Sequence, residues 1–187
     1  NLNLNAVASW LPWVFLAFYW AAQAGEKWAR LRRGVVAGLV ISVGILGAWW
    51  LVSERWIDLD AARAQLEKAG LGTPAVYLAG CAYWILINSL IEEYVWRWFV
   101  FRKIEVAAGS ASVGLVGSAF FFSVHHGIAT ASFLAWPLAL AAAAGCFIGG
   151  ATWSWLYLKY RSIWPAYLSH AIVDVAVFVV GWMILFG

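Results

Sequence analysis

Charge is what this chain lacks most: 12 Lys and Arg and 9 Asp and Glu make only 11% of 187 residues. Soluble domains carry about 25% charged and about 45–50% apolar residues. With 65% apolar residues and a mean hydropathy of +0.81, a water-soluble globular domain is excluded. Strict apolar–polar alternation over about ten positions, the mark of outer-membrane strands, is also missing, because the apolar runs are continuous. The two cysteines, Cys81 and Cys146, sit in separate apolar runs, which excludes a disulfide framework or a Cys-rich metal site and leaves them as packing residues. A single basic patch is absent despite a pI near 9.0 and a net charge of +3, so no nucleic-acid partner is expected. Internal repeats, low-complexity tracts and linkers are absent too, and residues 1–187 read as one transmembrane domain.

What remains is apolar helix. The fold class is all-α, a polytopic integral membrane helical bundle of about six spans, each needing about 20 apolar residues. The expected spans are Ala6–Ala24, Gly34–Val52, Thr73–Phe101, Ser112–Ile128, Phe133–Leu158 and Trp164–Phe186. No signal-peptide organisation precedes the first, so it is read as a true span. Glu54–Gly70 mixes Trp56, Ile57, Leu59, Ala62 and Leu66 with charges at helical spacing. It reads as an amphipathic helix on the membrane surface or as a solvated linker helix. The small-residue run Ala141–Gly150 suits close helix packing, and the 15 tryptophans suit interfacial belts.

Basic residues set the expected topology. Lys27, Arg30, Arg32 and Arg33, then Arg102 and Lys103, then Lys159 and Arg161 fall in alternate connections. The positive-inside rule makes those loops cytoplasmic, in what reads as a prokaryotic cytoplasmic membrane. Glu54–Gly70 then belongs outside. The lipid bilayer is the obligatory partner.

Ionisable groups inside spans are expensive and face a partner or a polar cavity. All three histidines, one aspartate and a Glu-Glu pair lie in such places, at Glu92, Glu93, His125, His126, His170 and Asp174. Glu93 and Arg97 are an i, i+4 pair, which leaves Glu92, about 100° round the helix, to face the bundle as a candidate general base. The bland alternative is a structural ion pair beside a protonated acid. Phe121 precedes His125 and Phe122 precedes His126 by four positions, so spacing does not choose between the histidines. Asp174, four residues after His170, is placed to orient it, to bind substrate beside it or to complete a metal shell. Zinc takes His, His and a carboxylate, here His126, His170 and Glu92, but no His-Glu-x-x-His pattern is present and no cofactor is expected. With these boundaries Glu92 lies roughly 10–15 Å and His126 about 20 Å into the membrane from the basic side, a mismatch in depth.

In chain order, Glu92-Glu93-x-x-x-Arg97, Phe122-x-x-x-His126 and His170-x-x-x-Asp174 resemble the three signature motifs of the CPBP (CAAX protease and bacteriocin-processing, Abi) family of intramembrane proteases. The resemblance covers roughly Tyr83–Ala176. Ser118-Ala119-Phe120-Phe121-Phe122 resembles the family's lead-in to its histidine and favours His126, with His125 and Phe122 in support. By this resemblance the protein is a glutamate-dependent endopeptidase: Glu92 is the base, His126 helps activate water, and His170 and Asp174 stabilise the oxyanion. Glu93 belongs to the same catalytic set. The family often has Asn at the last position, and Asp donates no hydrogen bond unless protonated, so the role of Asp174 stays open.

Three functions follow as expectations. The first is hydrolysis of a peptide bond in a membrane-associated protein or peptide, for which prenylated CaaX tails are the family's best-known target; the variant reading is a zinc-dependent protease. The second is a non-catalytic bacteriocin-immunity or scaffold protein. The third, a proton-coupled transporter, is disfavoured because no paired, Gly/Pro-broken half-helices appear.

Overall fold

The computed structural model describes the backbone of residues 4–131 and 134–187, and side chains from residue 27 onward apart from those of 54, 132 and 133. Six helices follow in order: α1 (Leu4–Trp56), α2 (Leu59–Lys68), α3 (Pro74–Ala108), α4 (Ala111–Ala131), α5 (Trp136–Tyr160) and α6 (Trp164–Phe186). Among the described residues there is no strand, and five helical segments are long and apolar enough to cross a membrane: Lys27–Ser53 of α1, and α3 to α6. The protein is a helical membrane bundle. The expected span Ala6–Ala24 falls in the first part of α1, where the backbone is helical and the side chains are not described.

Two expected boundaries move. The basic run Lys27–Arg33, expected as a loop, is helical and continuous with the span that follows. Helix α3 does not stop at Phe101 but runs on through Arg102 and Lys103 to Ala108. Glu105 holds that extra stretch, accepting from Arg102 at 2.6 Å and from both guanidinium nitrogens of Arg161 at 2.7 and 2.8 Å. The hydrogen bonds that Arg161 donates to Glu105 in turn hold its guanidinium above its usual pKa. Gly109 ends the helix at φ 63°, the left-handed conformation that glycine adopts without strain. This extension removes the mismatch in depth. Glu92 sits 16 residues before Ala108 and His126 sits 15 after Ala111, about 24 and 22 Å at 1.5 Å per residue.

The basic connections gather at one end of the bundle, as alternate loops must. Arg33 donates to the Tyr160 hydroxyl at 2.6 Å, and Arg161 meets Glu105 beside Arg102. At the opposite end α2 is shorter than expected, capped by Asp58, whose carboxylate accepts from Ala61 N at 2.9 Å. No residue of α2 is buried. Its Arg63 donates to the carbonyls of Ile184 and Gly187, which ties this surface helix to the last turn of α6.

Packing relies on small residues. Gly34, Gly38 and Ser42 repeat at four-residue spacing on the face of α1 turned to α6. A Cβ on Gly34 would overlap the Pro165 carbonyl, and one on Gly38 would fall 2.8 Å from the Ser169 carbonyl. Ser42 Oγ donates to Ile172 O at 3.2 Å. Such contact lets dispersion and weak hydrogen bonds hold helices that lipid does not squeeze together. One core cluster is formed by Phe122, Trp153, Leu156, Ala166 and Val173. A second, of Tyr77, Cys81 and Leu185, lies toward the α2 end.

Candidate active site

The carboxylates are aimed by an irregular stretch of α3. Ser89, Glu93, Arg97 and Phe101 repeat every four residues, and all are 0% exposed. In a regular α-helix each such step drifts by about 40°, or about 120° from the first to the last. The π-helical turns from Tyr94 to Phe101 hold more residues each and cancel most of that drift. A second π-helical segment, Trp84–Asn88, precedes the site. Insertions of this kind concentrate at functional positions.

Glu93 and Arg97 form the expected pair, with Arg97 Nη1 3.0 Å from Glu93 Oε1. That contact is close but poorly aligned: Glu93 Oε2 and Arg97 Nε and Nη1 have no hydrogen-bond partner. Arg97 Nη2 reaches the Gly150 carbonyl at 3.4 Å. The guanidinium also lies over the rings of Phe122 at 4.8 Å and Trp153 at 5.1 Å, so aromatic faces replace part of its hydration. The neighbouring Glu92 turns into the space between α4 and α6, with its side chain 16% exposed. Asn88, one turn earlier, donates to Glu92 Oε1 at 3.0 Å and leaves Oε2 facing inward.

Both inward-facing histidines point Nε2 at that oxygen. His126 Nε2 is 3.8 Å and His170 Nε2 3.7 Å from Glu92 Oε2. Each ring is fixed through its other nitrogen. His126 Nδ1 lies 3.0 Å from the Phe122 carbonyl, and since a carbonyl only accepts, the proton is assigned to Nδ1. His170 Nδ1 lies 2.9 Å from Glu93 Oε1, which assigns its Nδ1 proton likewise. Trp153 stacks on His170 with centroids 3.9 Å apart and 17° between planes, and is itself held by its indole N–H donating to Ser169 Oγ at 3.0 Å. Asp174 Oδ1 is 3.6 Å from His170 Nε2, and its Oδ2 is 2.5 Å from Ser89 Oγ.

The structure therefore brings together Glu92, Glu93, Arg97, Phe122, His126, His170 and Asp174 from α3, α4 and α6. His125 is exposed on the outside of α4, its ring 5.8 Å from that of Trp96. Four contributors went unmarked in the sequence: Asn88, Ser89, Trp153 and Ser169. Asn88 and Ser89 stand four residues before Glu92 and Glu93, a helix-face signal that was there to read. Trp153 and Ser169 carried none.

Residues 74–176 match the family model of the type II CAAX prenyl endopeptidases, Rce1-like. The match starts at the first residue of α3, ends two residues beyond Asp174 and covers more than half of the chain. The chain belongs to this family. No curated protein and no solved structure matches it. Membership makes the chain an intramembrane endopeptidase of CAAX type, acting on a membrane-associated protein. The matched segment contains every residue of the cluster just described. In this endopeptidase His126, His170 and Glu92 are donor types that zinc accepts, but no group of three or more His, Cys, Asp or Glu among the described residues is placed to hold a metal ion.

Proposed function

We propose that this endopeptidase hydrolyses a peptide bond of a membrane protein or peptide with a water held between Glu92 and His126. The observation that carries this reading is the convergence of His126 Nε2 and His170 Nε2 on Glu92 Oε2 at 3.8 and 3.7 Å. Those gaps are too long for direct hydrogen bonds and are of the kind a single water bridges. With Nδ1–H donated to Phe122 O, neutral His126 presents the Nε2 lone pair and accepts one water proton in a hydrogen bond. Glu92 Oε2 takes the other proton as the water oxygen attacks the scissile carbonyl carbon. When the C–N bond breaks, Glu92 returns that proton to the leaving nitrogen. His170 donates through Nε2 only as an imidazolium, which the Glu93 carboxylate at Nδ1 stabilises as a triad carboxylate does. In that form it hydrogen-bonds the oxyanion.

The histidines give the first test. In a cleavage assay on purified protein and a membrane peptide, His126→Ala loses about 10²–10⁴-fold in rate, whereas His125→Ala stays near wild type. Equal losses in the two variants would refute the choice of His126.

The fit of Asp174 follows from counting hydrogens. Ser89 Oγ lies 2.8 Å from Trp84 O and 2.5 Å from Asp174 Oδ2, yet a hydroxyl has one hydrogen. Donation to the Trp84 carbonyl makes Ser89 an acceptor from Asp174, which then carries the proton on Oδ2 and leaves Oδ1 as a bare acceptor oxygen 3.6 Å from His170 Nε2, beyond direct hydrogen-bond reach. Asparagine reproduces the bond to Ser89, its amide N–H replacing the acid O–H, and keeps an acceptor oxygen where Oδ1 stood. Asp174→Asn therefore keeps most of the cleavage rate and Asp174→Ala does not. A collapse of kcat in Asp174→Asn equal to that in Asp174→Ala would show that an ionised carboxylate is required.

A further inference from the structure

The catalytic cluster is drawn from α3, α4 and α6, and α5 reaches it through the buried Trp153. Helical side chains lean back toward the preceding turn, and here the indole lies over Gly149. A Cβ on that glycine would stand 3.3 Å from Trp153 Cη2. Three further contacts fix the ring. Its N–H donates at 3.0 Å to Ser169 Oγ, on the residue just before His170 in α6. The Phe122 ring meets it edge to face, with centroids 5.6 Å apart and 89° between planes. The Arg97 guanidinium lies 5.1 Å from its centroid. Held in this way, the indole stacks on His170 at 3.9 Å with 17° between planes. Volume filling alone demands no such alignment.

We propose that Trp153 is a positioning residue for the hydrolysis, its stacked indole holding the imidazole plane that aims His170 Nε2 at Glu92 Oε2, 3.7 Å away. This rests on His170 serving as the imidazolium that binds the oxyanion. The bond from Nδ1 to Glu93 Oε1 at 2.9 Å aims one nitrogen but tolerates tilt of the ring, since hydrogen bonds stay strong over a wide range of angle. A parallel stack removes that tilt. An imidazolium is also held against an indole face more firmly than a neutral ring, because the face attracts a cation, and tryptophan does so best among the aromatic residues. Trp153 therefore acts through His170 and touches no reacting atom.

Turnover of a membrane peptide by the purified full chain tests it, beside ring-proton NMR of the 3 histidines. Trp153→Leu lowers kcat by about 10–100-fold with KM near wild type. Trp153→Phe, which keeps a ring over His170, restores most of that loss. Trp155→Leu, on the exposed face of α5, cleaves as wild type. In NMR, the histidine signals that vanish in His170→Gln lie upfield in the wild type, shielded by the indole face, and move downfield in Trp153→Leu. Wild-type kcat in Trp153→Leu beside a slow His170→Gln would overturn this role alone. Wild-type kcat in His170→Gln would overturn the assigned mechanism and this role together. Equal losses in Trp153→Leu and Trp153→Phe, or His170 signals unmoved by Trp153→Leu, would also overturn positioning by the stack. Should Trp153→Leu fail to purify, Ser169→Ala serves. It takes away the acceptor of the indole N–H, so kcat must fall and the His170 signals must move, and a wild-type value of either one refutes the proposal.

Discussion

Glu92→Gln will remove cleavage, lowering kcat by about 10²–10⁴-fold with little change in stability. Glutamine matches glutamate in shape, and its amide oxygen still accepts from Asn88, which now bonds Glu92 Oε1 at 3.0 Å. The opposite end of the amide becomes an NH₂ group where Oε2 faced two histidine nitrogens at 3.8 and 3.7 Å. An NH₂ group takes no proton from water, so base catalysis stops while the pocket stays filled. Glu92 is partly exposed, so no buried charge is stranded. The check is a rate with a membrane peptide in reconstituted bilayers beside an unfolding curve in detergent. Near-wild-type turnover with an unchanged unfolding curve would remove Glu92 from the mechanism.

The largest effect on stability belongs to Arg97→Ala. Arg97 and Glu93 are both wholly buried, 3.0 Å apart, and the arginine also covers the faces of Phe122 and Trp153. Removing one member of a buried pair costs about 3–5 kcal/mol, because the other charge is left without its partner. In a chain of this length that corresponds to roughly 6–20 °C in the unfolding midpoint. Loss of packing alone predicts a different pattern from loss of charge balance, and a double-mutant cycle separates them. Glu93→Gln in the Arg97→Ala background restores part of the midpoint if the stranded carboxylate is the cause. No recovery would assign the whole loss to packing. The double variant is not expected to cleave, since Glu93 also holds His170 Nδ1.

Much of this arrangement was legible in the sequence wherever the physics is local. Continuous apolar runs define the spans from Gly34 onward, and the last of them, Trp164–Phe186, matches the helix end to end. The Glu93–Arg97 pair and the inward turn of Glu92 follow from helix geometry alone. Contacts between helices were not legible. The Glu93–His170 bond joins residues 77 apart, and nothing in either motif says that Glu93, rather than Asp174, holds the imidazole. The stack of Trp153 on His170 is equally remote, one tryptophan among 15.

The misplaced boundaries share one cause. Lys27–Arg33 and Arg102-Lys103 look like loops because clustered charge ends an apolar run. Yet a helix continues into the interface wherever its charges find partners there, as Arg102 and Glu105 do. The π-helical turns of α3 leave no mark in composition, and they are what keeps Ser89, Glu93, Arg97 and Phe101 on one buried face.

Direct attack by water on the peptide carbonyl is tested most sharply by a single turnover in ¹⁸O-labelled water with enzyme in excess, followed by mass spectrometry of the product and of the enzyme segment holding Glu92. Water activated by Glu92 and His126 places one ¹⁸O in the new carboxylate of the product and none in Glu92. An unlabelled product with ¹⁸O in the Glu92 carboxyl would mean that Glu92 attacks the peptide itself through an acyl intermediate, and would contradict the role of general base assigned to it.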